Sequence, residues 1–296
     1  MDAAHKPVLL AVALELLDVK PGGFYVDGTL GLAGHACEIL RRSAPHGTLL
    51  GLDRDAESLE LARESLAPFG ARAELAHADF RELPQLLGGR EPDGILLDLG
   101  VSSLQLDTPE RGFSFRHAGP LDMRLDRTHG ITAAELVNRL PERELADLIH
   151  RYGEERAARR IARALVAARR QRRIGTTLEL AEVVRRSAGR ARPGLDAATL
   201  TFQALRIHVN RELEGLGQAL DATARTLAPG GRLAVIAFHS LEDREVKRAF
   251  RALAGEGFRL LTRKPVRPDA AECTENPRAR SARLRVLERQ ALPAAA

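Results

Sequence analysis

Much that would narrow the function of a 296-residue chain is scarce or missing here. Tryptophan is absent and aromatic residues make up 4% of the chain, so any stacking on bases or sugars falls to a few Phe and Tyr. The 2 cysteines, Cys37 and Cys273, lie far apart without C-x-x-C spacing, which excludes a disulfide framework and fits a reducing compartment. No apolar run approaches the roughly 18 residues of a membrane span. The opening MDAAHKPVLL lacks a signal-peptide layout, so a cytoplasmic protein is expected. No group of His, Cys or acidic residues has metal-ligand spacing, and no metal centre is expected.

The 44% hydrophobic content supports a large core, in one elaborated domain or two. A net charge of +5 admits a polyanionic partner, because phosphate contacts with counterion release supply much of nucleic-acid affinity. The basic residues, nearly all Arg, cluster. One run leads from Arg156 through Arg159, Arg160 and Arg163 to Arg169, Arg170, Arg172 and Arg173, and a second is PRARSARLR near the C-terminus. Arg169, Arg170, Arg172 and Arg173 are the expected contacts to substrate RNA; the plainer alternatives are a solvated helix face and a frayed tail.

The most specific signal is FYVDGTLGLAGHA, Phe24 to Ala36, followed by LLGLDRD ending at Asp55. An apolar run, a three-glycine turn opening a helix, and a second apolar run closing on Asp53 read as a nucleoside-binding βαβ unit. The glycines fall at Gly28, Gly31 and Gly34 instead of G-x-G-x-x-G, and Asp27 precedes the first. A carboxylate there repels a diphosphate but attracts the ammonium of S-adenosylmethionine. The N–H groups of Ala33, Gly34 and His35 would hold that cofactor's carboxylate, and Asp53 its ribose hydroxyls. A dinucleotide site or a structural glycine turn remain alternatives at this point.

Further along, DAESLELARESLAPFG predicts a helix ended by Gly70, and RAELAHADF a third strand closing on Asp79 and Phe80. Phe80 there either packs on adenine or is an ordinary core aromatic. The run near 92–100 predicts a strand buried on both faces and ending at Asp98, at the edge where open α/β sheets place ligands. From 106 to 195 the pattern is helical, with a capping box at Thr132 and Glu135 and a helix start at Thr176 or Thr177. The α/β pattern resumes with a helical stretch over 196–227, broken near Gly215, and a strand ending at Phe238 before His239. The expected fold is therefore α/β, with 1–105 and 196–296 forming one discontinuous domain and 106–195 an all-helical insertion that grips the substrate or serves as a plain lid.

DGTLGLAGH, DGILLDLGVSS, Pro109 through RGFSF to GPLDMRLD, YGEERAARRIARA, TFQALRIHVNREL, FHSLEDREVK and ENPRARS together resemble the MraW/RsmH family of 16S ribosomal RNA (cytosine-N4)-methyltransferases. The blocks run in family order over nearly the whole chain. The resemblance implies a bacterial cytoplasmic enzyme with a class I methyltransferase domain, Rossmann-like, interrupted by a helical subdomain. It would transfer a methyl group from S-adenosylmethionine to one cytidine in the decoding region of small-subunit rRNA. Carried over by position, its cofactor contacts fall on Ala33, Gly34, His35, Asp53, Phe80, Asp98 and Gln105; Gln105 rests on the resemblance alone and Asp27 on the charge argument alone. Three departures stand out: Ala33 and Ala36 in a loop that is usually Gly-Gly-His-Ser, Ala118 where Asp is common, and Leu200 where Arg is common.

Cytosine N4 is a poor nucleophile because its lone pair is delocalised, so a site must align it with the methyl group and accept its hydrogens. Many amino-methyltransferases carry a D/N-P-P-Y segment after the fourth strand; DLGVSS stands there instead. Asp98 either contacts the cofactor or orients the amine. His239 meets the base, accepts a proton, or is a strand-end histidine bonded to backbone. Two other functions share parts of this pattern: a nicotinamide-linked oxidoreductase, and a ribosome-assembly factor that binds RNA without turnover.

Overall fold

We describe residues 7–189 and 194–291 of a computed structural model. The parts of the expected domain ranges falling on 1–6, 190–193 and 292–296 lie outside the described residues. The chain opens with α1 (Leu10–Leu17), β1 (Phe24–Asp27), α2 (Gly34–Arg42), β2 (Thr48–Asp53), α3 (Ala56–Leu66), β3 (Ala73–His77), α4 (Leu83–Leu87) and β4 (Gly94–Asp98). Helices follow: α5 (Ser103–Asp107), α6 (Ala133–Arg139), α7 (Glu142–Gly153), α8 (Ala158–Gln171), α9 (Thr177–Ala188) and α10 (Thr199–Val209). The chain closes with α11 (Leu216–Arg225), β5 (Arg232–Ala237), α12 (Ser240–Leu253), β6 (Phe258–Leu260), α13 (Ala270–Glu275) and β7 (Arg283–Arg289). None of the described helices is long and apolar enough to cross a membrane.

The strands form one sheet in the order β3-β2-β1-β4-β5-β7-β6. The first five are parallel and β7 runs antiparallel to both neighbours. This is the class I methyltransferase sheet, Rossmann-like and mostly parallel, that the sequence led us to expect. Side chains alternate between two cores. Tyr25, Leu49, Leu96 and Ile236 face one side with Leu14, Leu17 and Leu40 from α1 and α2. Val26, Leu50, Ile95, Leu97 and Val235 face the other with Leu220 from α11 and Phe250 from α12. Burial on both faces explains why β4 reads as an unbroken apolar run, each such side chain contributing about 1.5–3 kcal/mol.

Contacts group the chain into two compact units, residues 1–100 with 213–296, and residues 101–212. The second boundary falls after Glu212, not at 195/196 as the hydrophobic pattern suggested. The reason is α10, which packs along α7 within the helical unit. Gly153 permits the close approach: a Cβ there would lie 2.5 Å from the Leu200 carbonyl oxygen. Leu145, Ile149, Ile161, Leu165, Leu180, Val184 and Leu205 make this unit's core.

The irregular segment carrying RGFSF and GPLDMR is held by buried polar groups. Arg111, 1% exposed, donates to the carbonyls of Arg124 (3.1 Å) and Leu125 (3.0 Å). Asn210 donates to Met123 O (2.7 Å) and accepts from Leu125 N–H (2.8 Å). As expected, Thr132 and Glu135 form a capping box on α6, and Thr176 caps α9.

Gly153→Ala is expected to destabilise the protein by about 1–3 kcal/mol, since backbone must move to admit the methyl group. Chemical unfolding followed by circular dichroism measures this, and an unchanged midpoint would contradict the packing described.

Candidate methyl-donor site

Register places three acids at the carboxyl ends of adjacent strands: Asp53 on β2, Asp27 on β1 and Asp98 on β4. The loop from Gly28 to Ala33 is threaded between them by hydrogen bonds. Gly28 N–H donates to Leu96 O (2.9 Å) and Leu30 N–H to Leu52 O (2.8 Å). Thr29 N–H donates to Asp27 Oδ1 (3.2 Å), and Thr29 Oγ1 accepts from Asp98 N–H (2.6 Å). Gly31 N–H donates to Asp53 Oδ2 (2.7 Å), whose Oδ1 accepts from Asp55 N–H (2.8 Å). Glycine at 28 and 34 allows close packing: a Cβ would sit 2.5 Å from Leu97 Cδ2 at the first and 2.3 Å from Pro7 Cγ at the second, so either neighbour would have to shift.

Ala33 ends the loop at φ 64, a left-handed conformation that strains any Cβ-bearing residue, and its N–H donates to Leu30 O (2.8 Å). That N–H, expected to hold the cofactor's carboxylate, is instead spent in the turn. Helix geometry leaves the first-turn N–H groups of Gly34 and Ala36 without an i−4 partner inside α2. The His35 ring donates from Nε2 to Val8 O (3.1 Å) and sets Nδ1 3.9 Å from Asp98 Oδ2.

Burial dominates the electrostatics. Asp27, 2% exposed, has its carboxyl pushed up to about 7, with the charge of Asp53 adding to burial and the Thr29 N–H opposing them. Burial raises Asp53 as well, against the N–H donors of Asp55 and Gly31. Asp98 is raised well above the ordinary carboxylate range by burial, and then by Asp27 and Glu242. Its Oδ1 is buried with no hydrogen-bond partner among the described residues. Such an edge suits a ligand that brings positive charge and N–H or O–H donors, which S-adenosylmethionine does at its ammonium, sulfonium and ribose.

The other expected residues are placed as follows. Phe80 follows β3 in a short turn capped by Asp79, packs among core residues, and carries the Arg81 guanidinium 5.1 Å from its ring centre. The strand stops at His77, short of Phe80, because Asp79 caps that turn. Gln105 lies in the helical unit, where its Oε1 accepts from Ser102 N–H (2.8 Å) in a capping box. His239 caps α12: Nδ1 accepts from Glu242 N–H (3.3 Å), and Nε2 lies 3.1 Å from Glu242 Oε1, off the hydrogen-bond direction. Its proton-accepting nitrogen is thus committed to the backbone. Glu242 is itself buried and accepts from Phe238 N–H (2.9 Å), and Asp243 pairs with Arg285 (2.7 Å).

Of the Arg run, Arg169 donates to Val137 O (2.7 Å) and Arg172 pairs with Glu179, so both are engaged within the helical unit; Arg170 and Arg173 are exposed. Sequence reasoning missed Thr29, whose hydroxyl ties the loop to β4. A threonine in a turn carries no signal of that task.

Asp27 loses its proton near the ordinary aspartate value of 3.8 when unfolded, and burial moves this up to about 7 when folded. Between those values the folded protein holds a proton that the unfolded chain lacks, so the unliganded protein loses stability as pH rises from 3.8 to about 7. A cationic ligand that needs the carboxylate shows the opposite trend: S-adenosylmethionine affinity is expected to rise with pH through about 7, and Asp27→Asn to flatten that rise. Calorimetric titrations spanning neutrality check this; a pH-independent wild-type affinity would remove Asp27 from the ammonium.

The profile of the MraW methylase family matches residues 2–290. The "Ribosomal RNA small subunit methyltransferase H" of Syntrophobacter fumaroxidans is 51% identical, over 98% of this chain and 98% of its own. Proteins of the same name from Citrifermentans bemidjiense and Symbiobacterium thermophilum are each 50% identical, over 97% and 96% of this chain and 99% and 96% of theirs. With the sheet order and the acid-lined strand ends, these matches place the chain in the MraW methylase family.

Proposed function

We propose that the protein transfers a methyl group from S-adenosylmethionine to the exocyclic N4 amine of a cytidine in the decoding region of 16S rRNA, in the bacterial cytoplasm. The observation that carries the cofactor reading is the row of three acids, with the unpartnered Oδ1 of Asp98 among them. The rRNA substrate is supported by the names of relatives about half identical over nearly the whole chain. The cytidine and its atom come from the motif resemblance.

When bound, S-adenosylmethionine supplies an electrophilic methyl group. Asp27 would attract its ammonium, Asp53 would accept from its ribose hydroxyls, and the first-turn N–H groups of α2 would hold its carboxylate. Asp98 would accept a hydrogen bond from the substrate amine and orient its nitrogen. Asp98 Oδ1 or water would take the proton that the amine gives up. The raised carboxyl of Asp98 makes it a better proton acceptor than an ordinary aspartate. The nicotinamide alternative loses support from β7, because dinucleotide folds keep the order 3-2-1-4-5-6 in parallel.

Incubation with labelled S-adenosylmethionine and small subunits, followed by nucleoside mass spectrometry, is expected to yield N4-methylcytidine. Label on another base would discard the target, and binding without label would favour the non-catalytic assembly factor. Asp98→Asn is expected to lower kcat by about 10²–10⁴ with cofactor affinity little changed. A weakened cofactor Kd at unchanged kcat would move Asp98 to the cofactor's contacts.

A further inference from the structure

The helical unit holds a cleft of about 810 Å³ at the start of α8, whose lining includes Glu155, Arg156, Arg159, Arg160, Asp196 and Leu200. Its acids are already engaged. Asp196 is held by Arg185 Nε (3.1 and 3.2 Å) and Nη2 (2.9 Å), and also accepts from Ala198 N–H (2.8 Å). Glu155 Oε1 accepts from Ala157 N–H (2.7 Å). Arg160 is engaged too: its Nη2 donates to Ala188 O at the end of α9, and a Cβ at Gly189 would meet that nitrogen at 2.6 Å. Arg160 therefore ties the cleft wall to α9.

Arg156 and Arg159 differ from these. Both are exposed, and neither makes an ion pair among the described residues. Two uncompensated guanidinium groups thus stand over a concave surface with apolar footing from Ala157, Ala188 and Leu200. At the other end of the same helix, Arg169 and Arg172 are occupied by Val137 O and Glu179. Arg170 and Arg173 at that end are exposed as well, but it is Arg156 and Arg159 that line the cleft.

We propose that Arg156 and Arg159 bind backbone phosphates of the substrate RNA, with the apolar floor of the cleft under the intervening ribose. This rests on the rRNA reading above and adds where the helical unit grips the strand. Guanidinium forks match phosphate oxygens, and contacts to the backbone position a nucleic acid without reading its sequence. The exposed setting of both groups suits an extended polyanion that touches each in passing. A small anion would be better served by an enclosed pocket.

The test uses the full chain and a 16S rRNA transcript, with binding measured over a range of KCl concentrations. For Arg156→Ala with Arg159→Ala, the slope of log K against log salt is expected to shrink by about 1.4, near 0.7 per single-strand phosphate, and low-salt affinity to fall about tenfold or more. Arg156→Lys with Arg159→Lys is expected to restore most of the slope, a rescue that a purely structural role would not give. S-adenosylmethionine binding by calorimetry reports that the other unit is intact. An unchanged slope in the alanine variant overturns the proposal, as does displacement of the RNA by inorganic phosphate at the concentration that binds the cleft, which would mark a small-anion site. The function reading fails separately: wild-type protein that binds RNA with the expected slope yet forms no N4-methylcytidine sinks that reading and leaves this one standing.

Discussion

Everything at the donor site follows from the cost of putting Asp27, Asp53 and Asp98 side by side in a buried strand edge. Like charges in a poorly solvated place oppose one another's ionisation, and all three carboxyls are raised accordingly. The glycine loop offsets part of this. Its N–H groups at Thr29 and Gly31 donate to two of the three acids, and such bonds to charged acceptors contribute about 1.5–3 kcal/mol each. Loop and acids therefore depend on each other: the loop has its shape because the carboxylates accept from it, and the carboxylates are tolerated because the loop donates. Asp98 receives no such bond on Oδ1 among the described residues, which leaves that oxygen open to a ligand or to water.

The sheet supplies the rigidity this arrangement needs. Parallel β2, β1 and β4 fix the acids, and β5 and β7 continue the sheet beside them. The buried Arg285 of β7 holds Asp243 in the first turn of α12, the helix that His239 caps. His239, attractive as a base when only its strand-end position is known, is thereby part of the scaffold. Its Nδ1 serves the helix, and Glu242 answers by accepting from the backbone that leads into it.

Strand ends and the βαβ unit were legible in the sequence because alternation, glycines and terminal acids are local signals. So were the caps at Thr132 and Thr176, which need only residues three apart. Other features depend on partners distant in the chain. The place of α10 was set by its contact with Gly153 of α7, which periodicity cannot report. Arg169 and Arg172 looked available as part of a charge run, but Val137 O and Glu179 occupy them. Phe80 sits beyond its strand because the cap at Asp79 outcompetes extension. The engagement of the Ala33 N–H was hidden for a similar reason, since a helix start predicts open N–H groups while the preceding turn consumes one.

Leu9 stands before α1 with φ 55, and its N–H donates to Glu272 Oε1 (2.6 Å), a partner 263 residues away. The neighbouring Val8 carbonyl is the one that receives the His35 ring, and Pro7 lies over Gly34. The segment Pro7–Leu9 is thus latched over the donor loop by a side chain made 263 residues after Leu9. During synthesis the emerging chain lacks this latch until α13 has left the exit tunnel, so the fastening of the donor pocket waits until the whole span from Leu9 to Glu272 has been made.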